Sequence, residues 1–286
     1  AVASHTSGAA EPLGSAQRLF VTYPNDGLET GFTWTRIDRD FDPQLGFLPR
    51  RQVQTLTGYL EKSWRPKGPT GFRWWAVRPM EFTLNIDDDG LEWTDYSYQF
   101  SPFQAVTHAG DWYKIAFFAR GDRVEEPWEI VEGFGAEAGE HSNLSGSIMT
   151  GTSGRRAWRF FAYAGYGSYY GGERLHSMFQ GSWSINRNVK LALHQGLYWL
   201  RKGEVSKPVV DASFQLHLAA RRNLFGSIMV QGNTEVDALL INARLRYIPS
   251  PGADCYLVVN QTLDRSDDWR ATDRAVLAKL VWWYGI

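Results

Sequence analysis

The feature that most constrains the fold is a two-residue alternation of side-chain character that recurs along the chain. From Leu239 to Tyr247 the odd positions are Leu, Ile, Ala, Leu and Tyr, whereas the even positions are Leu, Asn, Arg and Arg. Residues 158–167, 189–200 and 209–219 separate apolar from polar positions in the same way. Because successive side chains of a β-strand point to opposite faces, each segment predicts a strand between two different media. A soluble β-sandwich and a membrane β-barrel both fit this pattern.

Fourteen strands, with an uncertainty of two, are predicted after a short leading segment. Their ranges are 29–37, 51–64, 71–86, 91–103, 110–120, 141–150, 156–168, 173–185, 189–200, 208–219, 224–231, 238–247, 254–263 and 271–286. Residues 1–27 are small and polar, which predicts a flexible tail in which only Arg18 to Tyr23 could form a short strand. The expected organisation is a tail over 1–27 and one β domain over 28–286.

Strand length and strand chemistry favour a membrane. The segments have the length that crosses a hydrocarbon layer at a tilt, whereas soluble strands average about five or six residues. The chain is 15% aromatic, yet its mean hydropathy is −0.36, as in barrels whose polar interior offsets their lipid-facing side chains. The last strand is apolar and aromatic on one face, as in bacterial outer-membrane barrels, although those usually end in Phe and this one ends in Ile286. If the C-terminus is periplasmic, successive connections alternate between the periplasm and the outside. The three longest connections then lie outside, as expected for outer-membrane barrels with short periplasmic turns.

Other sequence properties narrow the function classes. The net charge of −1 gives no reason to expect a nucleic-acid partner. The sequence contains no run of about eighteen apolar residues, so no membrane-spanning helix is predicted. The start of the sequence has no basic or apolar leader, so we expect a mature form from which a signal peptide was removed. Cys255 is the only cysteine, so an internal disulfide is excluded.

Two short motifs resemble a known family. The stretch NARLRYIPSPGADCYLVVNQT and the element FDPQLGFLPR, Phe41 to Arg50, are similar to the C-terminal barrel domain of envelope proteins of unknown function. Members of that family typically carry an N-terminal module similar to family-nine carbohydrate-binding domains. This sequence lacks the module and the first barrel strands, so it is either a compact member or part of a larger assembly. The resemblance implies an outer-membrane β-barrel and brings no catalytic residues.

The alternation predicts a row of polar, mostly basic side chains facing the barrel interior. These residues are Lys114, Arg120, Arg159, Arg174, His176, Lys190, His194, Asp211, His217, Asn242, Arg244, Arg246 and Lys279. Because lumen charge sets the selectivity of a pore, a hydrated channel of this composition favours anions. The alternative is a packed, closed lumen in which these cations pair with acids and water. The three histidines do not define a metal site, because their relative heights depend on an unknown register.

Aromatic residues are spread over nearly all the predicted strands. We expect Trp74, Trp93, Trp112, Trp158, Trp183, Trp199, Trp282 and Tyr284 to form aromatic girdles at the two membrane interfaces. A sugar-stacking platform is the alternative, but it would concentrate the rings on one sheet.

Three further groups invite a chemical interpretation. His141-Ser142-Asn143 resembles the His and Ser of outer-membrane lipid hydrolases, but adjacent strand residues point to opposite faces, so a polar strand start is favoured. The Asp87-Asp88-Asp89-Gly90 run contains carboxylates suited to calcium, yet Asp-Gly favours a hairpin turn. A third group, Glu125, Glu126, Glu129 and Glu132, predicts a solvated acidic loop, with cation bridges to lipopolysaccharide as the alternative.

The sequence therefore predicts a non-enzymatic β-barrel of the bacterial outer membrane without cofactor or metal. Its expected role is a pore for small solutes, or an anchor or conduit for a protein partner in the lumen or at the periplasmic mouth. The tail 1–27 would be periplasmic, as a plug or an attachment to that partner, and the surroundings would be outer-membrane lipids and lipopolysaccharide. An outer-membrane lipid hydrolase and a soluble secreted glycan-binding protein are the alternatives.

Overall fold

The computed structural model describes residues 2–5, 14–43, 47–266 and 268–283, with only the backbone described for 2–5. These residues form eighteen β-strands. They are β1 (Val2–His5), β2 (Ser15–Tyr23), β3 (Leu28–Ile37), β4 (Val53–Trp64), β5 (Phe72–Asp87), β6 (Trp93–Thr107), β7 (Trp112–Val124), β8 (Trp128–Val131), β9 (Phe134–Ala136), β10 (Gly139–Gly151), β11 (Trp158–Tyr169), β12 (Gly172–Ser184), β13 (Val189–Lys202), β14 (Val205–Arg221), β15 (Leu224–Asn233), β16 (Ala238–Tyr247), β17 (Ala253–Asp264) and β18 (Arg270–Trp282). Within this part of the chain, no helix has the length and apolar character needed to cross a membrane.

The strands pair in chain order. Sixteen of them are hydrogen-bonded neighbours in one sheet, in the order β1 to β7 followed by β10 to β18, while β8 and β9 form a separate two-stranded sheet. The prediction of an all-β, antiparallel chain is confirmed. Each of the fourteen predicted strands is present, as β3–β7 and β10–β18. The predicted end of the last strand, 284–286, lies outside the described residues.

Part of the predicted flexible tail is strand. Ser15–Tyr23 forms β2, which pairs with β3 from Ala16 opposite Ile37 to Tyr23 opposite Thr30. The hydroxyl of Ser15 also donates to the Asp38 carboxylate at 2.6 Å. The short strand allowed for Arg18 to Tyr23 is therefore present and begins earlier, at Ser15, because pairing with β3 supplies backbone hydrogen bonds that the small, polar composition of the segment does not reveal.

The chain divides into two compact units. Unit 1 consists of Ala1–Met149, Gly165–Arg174 and Arg201–Val205, and unit 2 of Thr150–Ala164, Leu175–Leu200 and Ser206–Ile286. Strands β2–β9 belong to unit 1 and β15–β18 to unit 2, whereas β10–β14 contribute residues to both.

In unit 1, the register of β3–β7 separates polar from apolar residues. One face carries the paired row Thr33, Thr57, Thr83, Ser97 and Arg120. The other face carries apolar residues, among them Phe32, Trp34, Leu56, Phe82, Leu84, Tyr98 and Phe117. Bulges in β4, β5 and β6 shift the register near one end of these strands. The alternation read from the sequence therefore becomes two chemically distinct faces.

Unit 2 shows a similar separation, although Phe225, Met229, Leu240, Val258 and Leu277 share the face of the polar residues. Along β14–β18 one face carries Asp211, His217, Ser227, Gln231, Asn242, Arg244, Arg246, Tyr256, Asn260 and Lys279. The opposite face carries Phe214, Leu218, Ile228, Val230, Ile241, Leu245, Leu257, Val259, Val276, Leu280 and Trp282. We call these the polar face and the apolar face of unit 2.

Much of the apolar surface is not covered by protein. Among the described residues, eleven hydrophobic residues are buried, whereas forty large hydrophobic residues are exposed. Five of the buried ones are alanines, namely Ala76, Ala105, Ala116, Ala136 and Ala253. A monomeric soluble protein rarely exposes contiguous apolar patches of this extent, so the apolar faces require an explanation other than a conventional core.

Candidate functional site

The polar face of unit 2 contains a cleft of about 640 Å³. Its ionisable lining consists of Arg187, Lys190, His217, Arg244 and Arg246, and no Asp or Glu is among the described residues that line it. We call this cavity the basic cleft. Four of its five ionisable residues were predicted to face the interior, whereas Arg187 was missed because it lies in the turn between β12 and β13.

The turn beside the basic cleft is fixed by its own hydrogen bonds. The Asn186 side-chain oxygen accepts from the backbone N–H groups of Asn188 at 2.8 Å and Val189 at 2.9 Å. The Asn188 side chain donates to the Ala219 carbonyl, and the Ala219 N–H donates to the Asn188 carbonyl at 2.7 Å. In an Asx turn of this kind, a side-chain oxygen accepts the hydrogen bonds that a backbone carbonyl would otherwise accept. The turn is thus tied to the end of β14, which sets the positions of Arg187 and Lys190.

Strand register builds the opposite wall of the basic cleft. His217 on β14 lies opposite Ser227 on β15, and Ser227 lies opposite Arg244 on β16. Residues paired in this way share a face and have neighbouring side chains. Three polar residues from three strands therefore form one row, which no local sequence pattern could predict.

Arg246 is held by an ion pair in the next row. Its Nε lies 2.9 Å from Asp254 Oδ1, its second nitrogen, Nη2, lies 2.5 Å from Asp254 Oδ2, and the Tyr256 hydroxyl donates to the same carboxylate at 2.7 Å. The Arg244 guanidinium lies 4.6 Å from the Tyr256 ring centroid. A second cleft of about 650 Å³ contains these groups together with Lys279. Asp254 and Tyr256 were not predicted, although the short turn between β16 and β17 places Tyr256 opposite Arg246 and Asp254 two residues before it on the same face.

Two histidines of unit 2 have defined partners. His194 Nε2 lies 2.7 Å from Asp211 Oδ2, and His194 Nδ1 lies 3.4 Å from the Gln180 side-chain nitrogen. The His176 ring stacks on Tyr198, with centroids 4.3 Å apart and planes at 13°. The predicted interior histidines therefore belong to different local networks. Asn242, another predicted interior residue, donates to Asn260 at 2.5 Å.

Unit 1 has a buried ion cluster that the sequence analysis did not predict. Arg78 Nη2 lies 2.7 Å from Glu61 and Arg78 Nη1 lies 2.7 Å from Glu81, while Gln99 donates to Glu81 at 3.0 Å. The predicted interior residue Lys114 lies on β7 beside this cluster and interacts with its charges. Glu61 is only 7% exposed. The contact between the buried carboxylate of Glu61 and Arg78 could not be predicted from the sequence of β4 alone, because β4 and β5 bulge at this point.

The remaining predicted interior cations lie on β7, β11 and β12. In unit 1, Arg120 lies 4.4 Å from the Phe118 ring centroid and Arg174 lies 3.8 Å from that of Tyr169. In unit 2, half-buried Arg159 precedes Tyr163 by four residues on β11. Cation–ring contacts of this kind contribute about 0.5 to 1 kcal/mol at exposed sites.

The predicted aromatic girdle is distributed unevenly. Trp158, Trp183, Trp199 and Trp282 are exposed large hydrophobic residues, and Trp93 contacts Tyr96 on the apolar face of unit 1. Trp74 and Trp112 both pair with Val106, and Trp112 shares a face with Lys114. The adjacent residues Trp75 and Tyr113 both pair with Ala105 and therefore share the opposite face. The register thus places Trp74 and Trp112 on the polar side, and Tyr284 lies outside the described residues.

The residues considered for hydrolysis are engaged in packing. His141 Nε2 lies 2.7 Å from the Glu137 carbonyl, Ser142 contacts the Tyr96 hydroxyl at 3.1 Å, and the Asn143 side-chain oxygen accepts from the Tyr170 N–H at 2.8 Å. The side chains of His141 and Ser142 therefore have separate partners. This arrangement is consistent with the predicted polar strand start.

The two acidic candidates also have structural partners. Asp87 Oδ1 accepts from the N–H groups of Asp89 and Gly90, as the hairpin prediction requires. Asp88 pairs with Arg36 at 2.8 Å and Asp89 with Arg39 at 2.8 Å. Glu129 lies in β8 of the small hairpin rather than in an irregular loop. Within the described part of the chain, no group of three or more His, Cys, Asp or Glu side chains could hold a metal ion.

Comparison with protein-family models gives no match for this chain, and comparison with curated proteins gives none either. The resemblance to the envelope-protein barrel domain therefore depends on features of the sequence, chiefly the two motifs. One of them occupies β16, β17 and their connecting turn. The other, Phe41 to Arg50, contains residues 44–46, which lie outside the described part.

Proposed function

We propose that this chain is a β-barrel of the bacterial outer membrane that acts as a non-enzymatic pore for small solutes and favours anions. The observation that carries the proposal is the separation of faces, with most of the exposed apolar side chains on one side of the strands and most of the polar side chains on the other. A lipid-facing apolar surface and a polar lumen produce this separation in transmembrane barrels. The resemblance to an outer-membrane barrel domain supports the same proposal.

Strand dimensions support membrane crossing over a soluble, glycan-binding role. Strands β10–β14 have 12 to 17 residues, which exceeds the nine to eleven or so that span the hydrocarbon layer at a tilt. Closing the sheet on itself would remove its unpaired edges, which are not tolerated in lipid. A glycan-binding sandwich would instead cover its apolar faces with a second sheet.

The charge of the polar face supports a preference for anions. Arg187, Lys190 and Arg244 line the basic cleft without an acidic lining residue among those described. Asp254 neutralises Arg246, and Asp211 pairs with His194. Positive charge that is not neutralised attracts permeating anions and repels cations. The observed pairing leaves such charge in the basic cleft.

Reconstitution into a planar bilayer with a salt gradient tests the proposal. We expect stepwise conductance and a reversal potential displaced toward the anion equilibrium potential. A protein that inserts, with heat-modifiable mobility, but passes no current would overturn the pore and leave the membrane anchor for a partner. A protein that stays monomeric in buffer without detergent would overturn the membrane assignment itself.

A further inference from the structure

We infer that the basic cleft is a binding site for a phosphoryl group, carried by a small solute or by a lipid headgroup. This inference deepens the proposed pore and rests on it for the route by which the ligand arrives. The cleft volume of about 640 Å³ lies within the range typical of small-molecule sites.

Uncompensated positive charge is the first argument. Arg187, Lys190 and Arg244 contribute three cations to the lining. None of them forms an ion pair with a described residue, although Arg244 also interacts electrostatically with Asp254 beyond ion-pair distance. Arg246 is already satisfied by Asp254. An anion of more than one charge would therefore gain attraction from several directions without displacing an existing partner.

The second argument is that the cations are positioned before a ligand binds. The Arg244 side chain is placed against Tyr256, whose hydroxyl is itself fixed by Asp254. Arg187 lies within the turn whose backbone is held by Asn186, and Lys190 is the second residue of the strand that follows it. Because less conformational freedom is lost on binding, a preorganised cation contributes more to affinity than a mobile surface lysine.

The chemistry of the lining selects phosphoryl over carboxylate. A carboxylate is planar, and one arginine satisfies both of its oxygens. A phosphoryl group presents three oxygens and up to two charges, so it requires donors on different sides. The guanidinium of Arg244, the ammonium of Lys190 and the hydroxyl of Ser227 come from three strands and line one cleft.

Titration calorimetry of the folded protein in neutral detergent tests the site. Glucose 6-phosphate is the probe and glucose is the uncharged control. We expect heat from the phosphate only, and a Lys190→Gln/Arg244→Gln double variant to weaken binding at least about tenfold. Arg265→Gln is the matched control, because Arg265 lies in unit 2 outside the basic cleft and pairs with Asp237. Heat-modifiable mobility verifies that each variant is folded.

Competition in nanodiscs identifies the source of the phosphoryl group. If phosphatidylglycerol discs abolish the glucose 6-phosphate signal and phosphatidylcholine discs do not, the site takes an anionic lipid headgroup. If both discs leave the signal intact, the site takes a free solute. Equal binding by the double variant, or equal heat from glucose, would overturn the site. Conductance is recorded separately, so a silent protein that binds the probe rejects the pore and retains the site.

Discussion

The His194 Nε2 atom lies 2.7 Å from Asp211 Oδ2 across β13 and β14, and a glycine makes room for the carboxylate. A Cβ atom at Gly196 would lie 2.3 Å from Asp211 Oδ1. No side-chain carbon fits at that distance, so the position of Asp211 depends on the absence of a side chain at 196. Asp211 is, like Asp254, an acidic residue on a polar face that also carries Arg244, Arg246 and Lys279.

Removing the carboxylate of this pair should increase anion preference. With Asp211→Asn we expect the anion-to-cation permeability ratio to rise roughly threefold, since one negative charge is lost from a solvated polar face. Reversal potentials in a salt gradient measure the ratio. His194→Gln, which keeps the carboxylate, is the control and should not raise the ratio. An unchanged ratio for Asp211→Asn would mean that Asp211 is remote from the ion path.

Two adjacent residues of β18 give a matched test of the membrane assignment. Val276 and Leu277 are each 60% exposed but point to opposite faces, since Val276 pairs with Val259 and Leu277 with Val258. We expect Val276→Lys to destabilise the inserted protein by about 2 to 4 kcal/mol and Leu277→Lys to have a much smaller effect. Urea titration of folding in lipid vesicles measures both. Equal effects would contradict a lipid-facing apolar face.

The buried ion cluster of unit 1 should contribute to stability. Glu61 has 9% side-chain exposure and Glu81 has 44%, and both contact Arg78 at 2.7 Å. We expect Glu61→Gln to lower the free energy of unfolding by about 2 kcal/mol, because it leaves a partly buried cation with one partner. The exposed counterpart, Glu81→Gln, should cost less than about 1 kcal/mol. Urea unfolding measures the loss of unfolding free energy in each variant. A larger loss for Glu81→Gln than for Glu61→Gln would show that the cluster is not organised around Glu61.

The Asp88 turn should make stability sensitive to acid. Hydrogen bonding from Arg36 lowers the pKa of Asp88, with a further contribution from Gln54. The folded-state pKa lies below the ordinary value of about 3.9, so the stabilisation is present above that value and is lost as pH falls through the lowered pKa. Comparing urea midpoints at about pH 6 and about pH 3 should therefore show a smaller acid-dependent loss for Asp88→Asn than for the parent.

A neighbouring residue is the control for this effect. Asp89 lies in the same turn with its side chain 65% exposed, whereas that of Asp88 is 7% exposed. Asp89→Asn should leave the acid-dependent loss close to that of the parent. If both variants reduce it equally, the general charge of the turn rather than the Arg36 contact is responsible.

Strand positions and faces could be predicted because alternation is a local property of the chain. All fourteen predicted strands are present, and the predicted interior residues of β14, β16 and β18, among them Asp211, Arg244 and Lys279, do share one face. Alternation itself should have placed Trp112 on the polar side, since Trp112 lies two residues from Lys114 in the regular strand β7. The face on which Trp74 lies could not be predicted in this way, because it depends on bulges in β5 and β6 that the sequence does not indicate.

The sequence by itself determined the all-β class, the extent of most strands and which side chains alternate. Only the tertiary structure decided the register, which places His217, Ser227 and Arg244 in one row and assembles the basic cleft from five strands and a turn. The physical reason is that the direction of a side chain follows from its own strand, with a period of two. Its neighbours across the sheet depend on pairing and bulges between segments far apart in the chain.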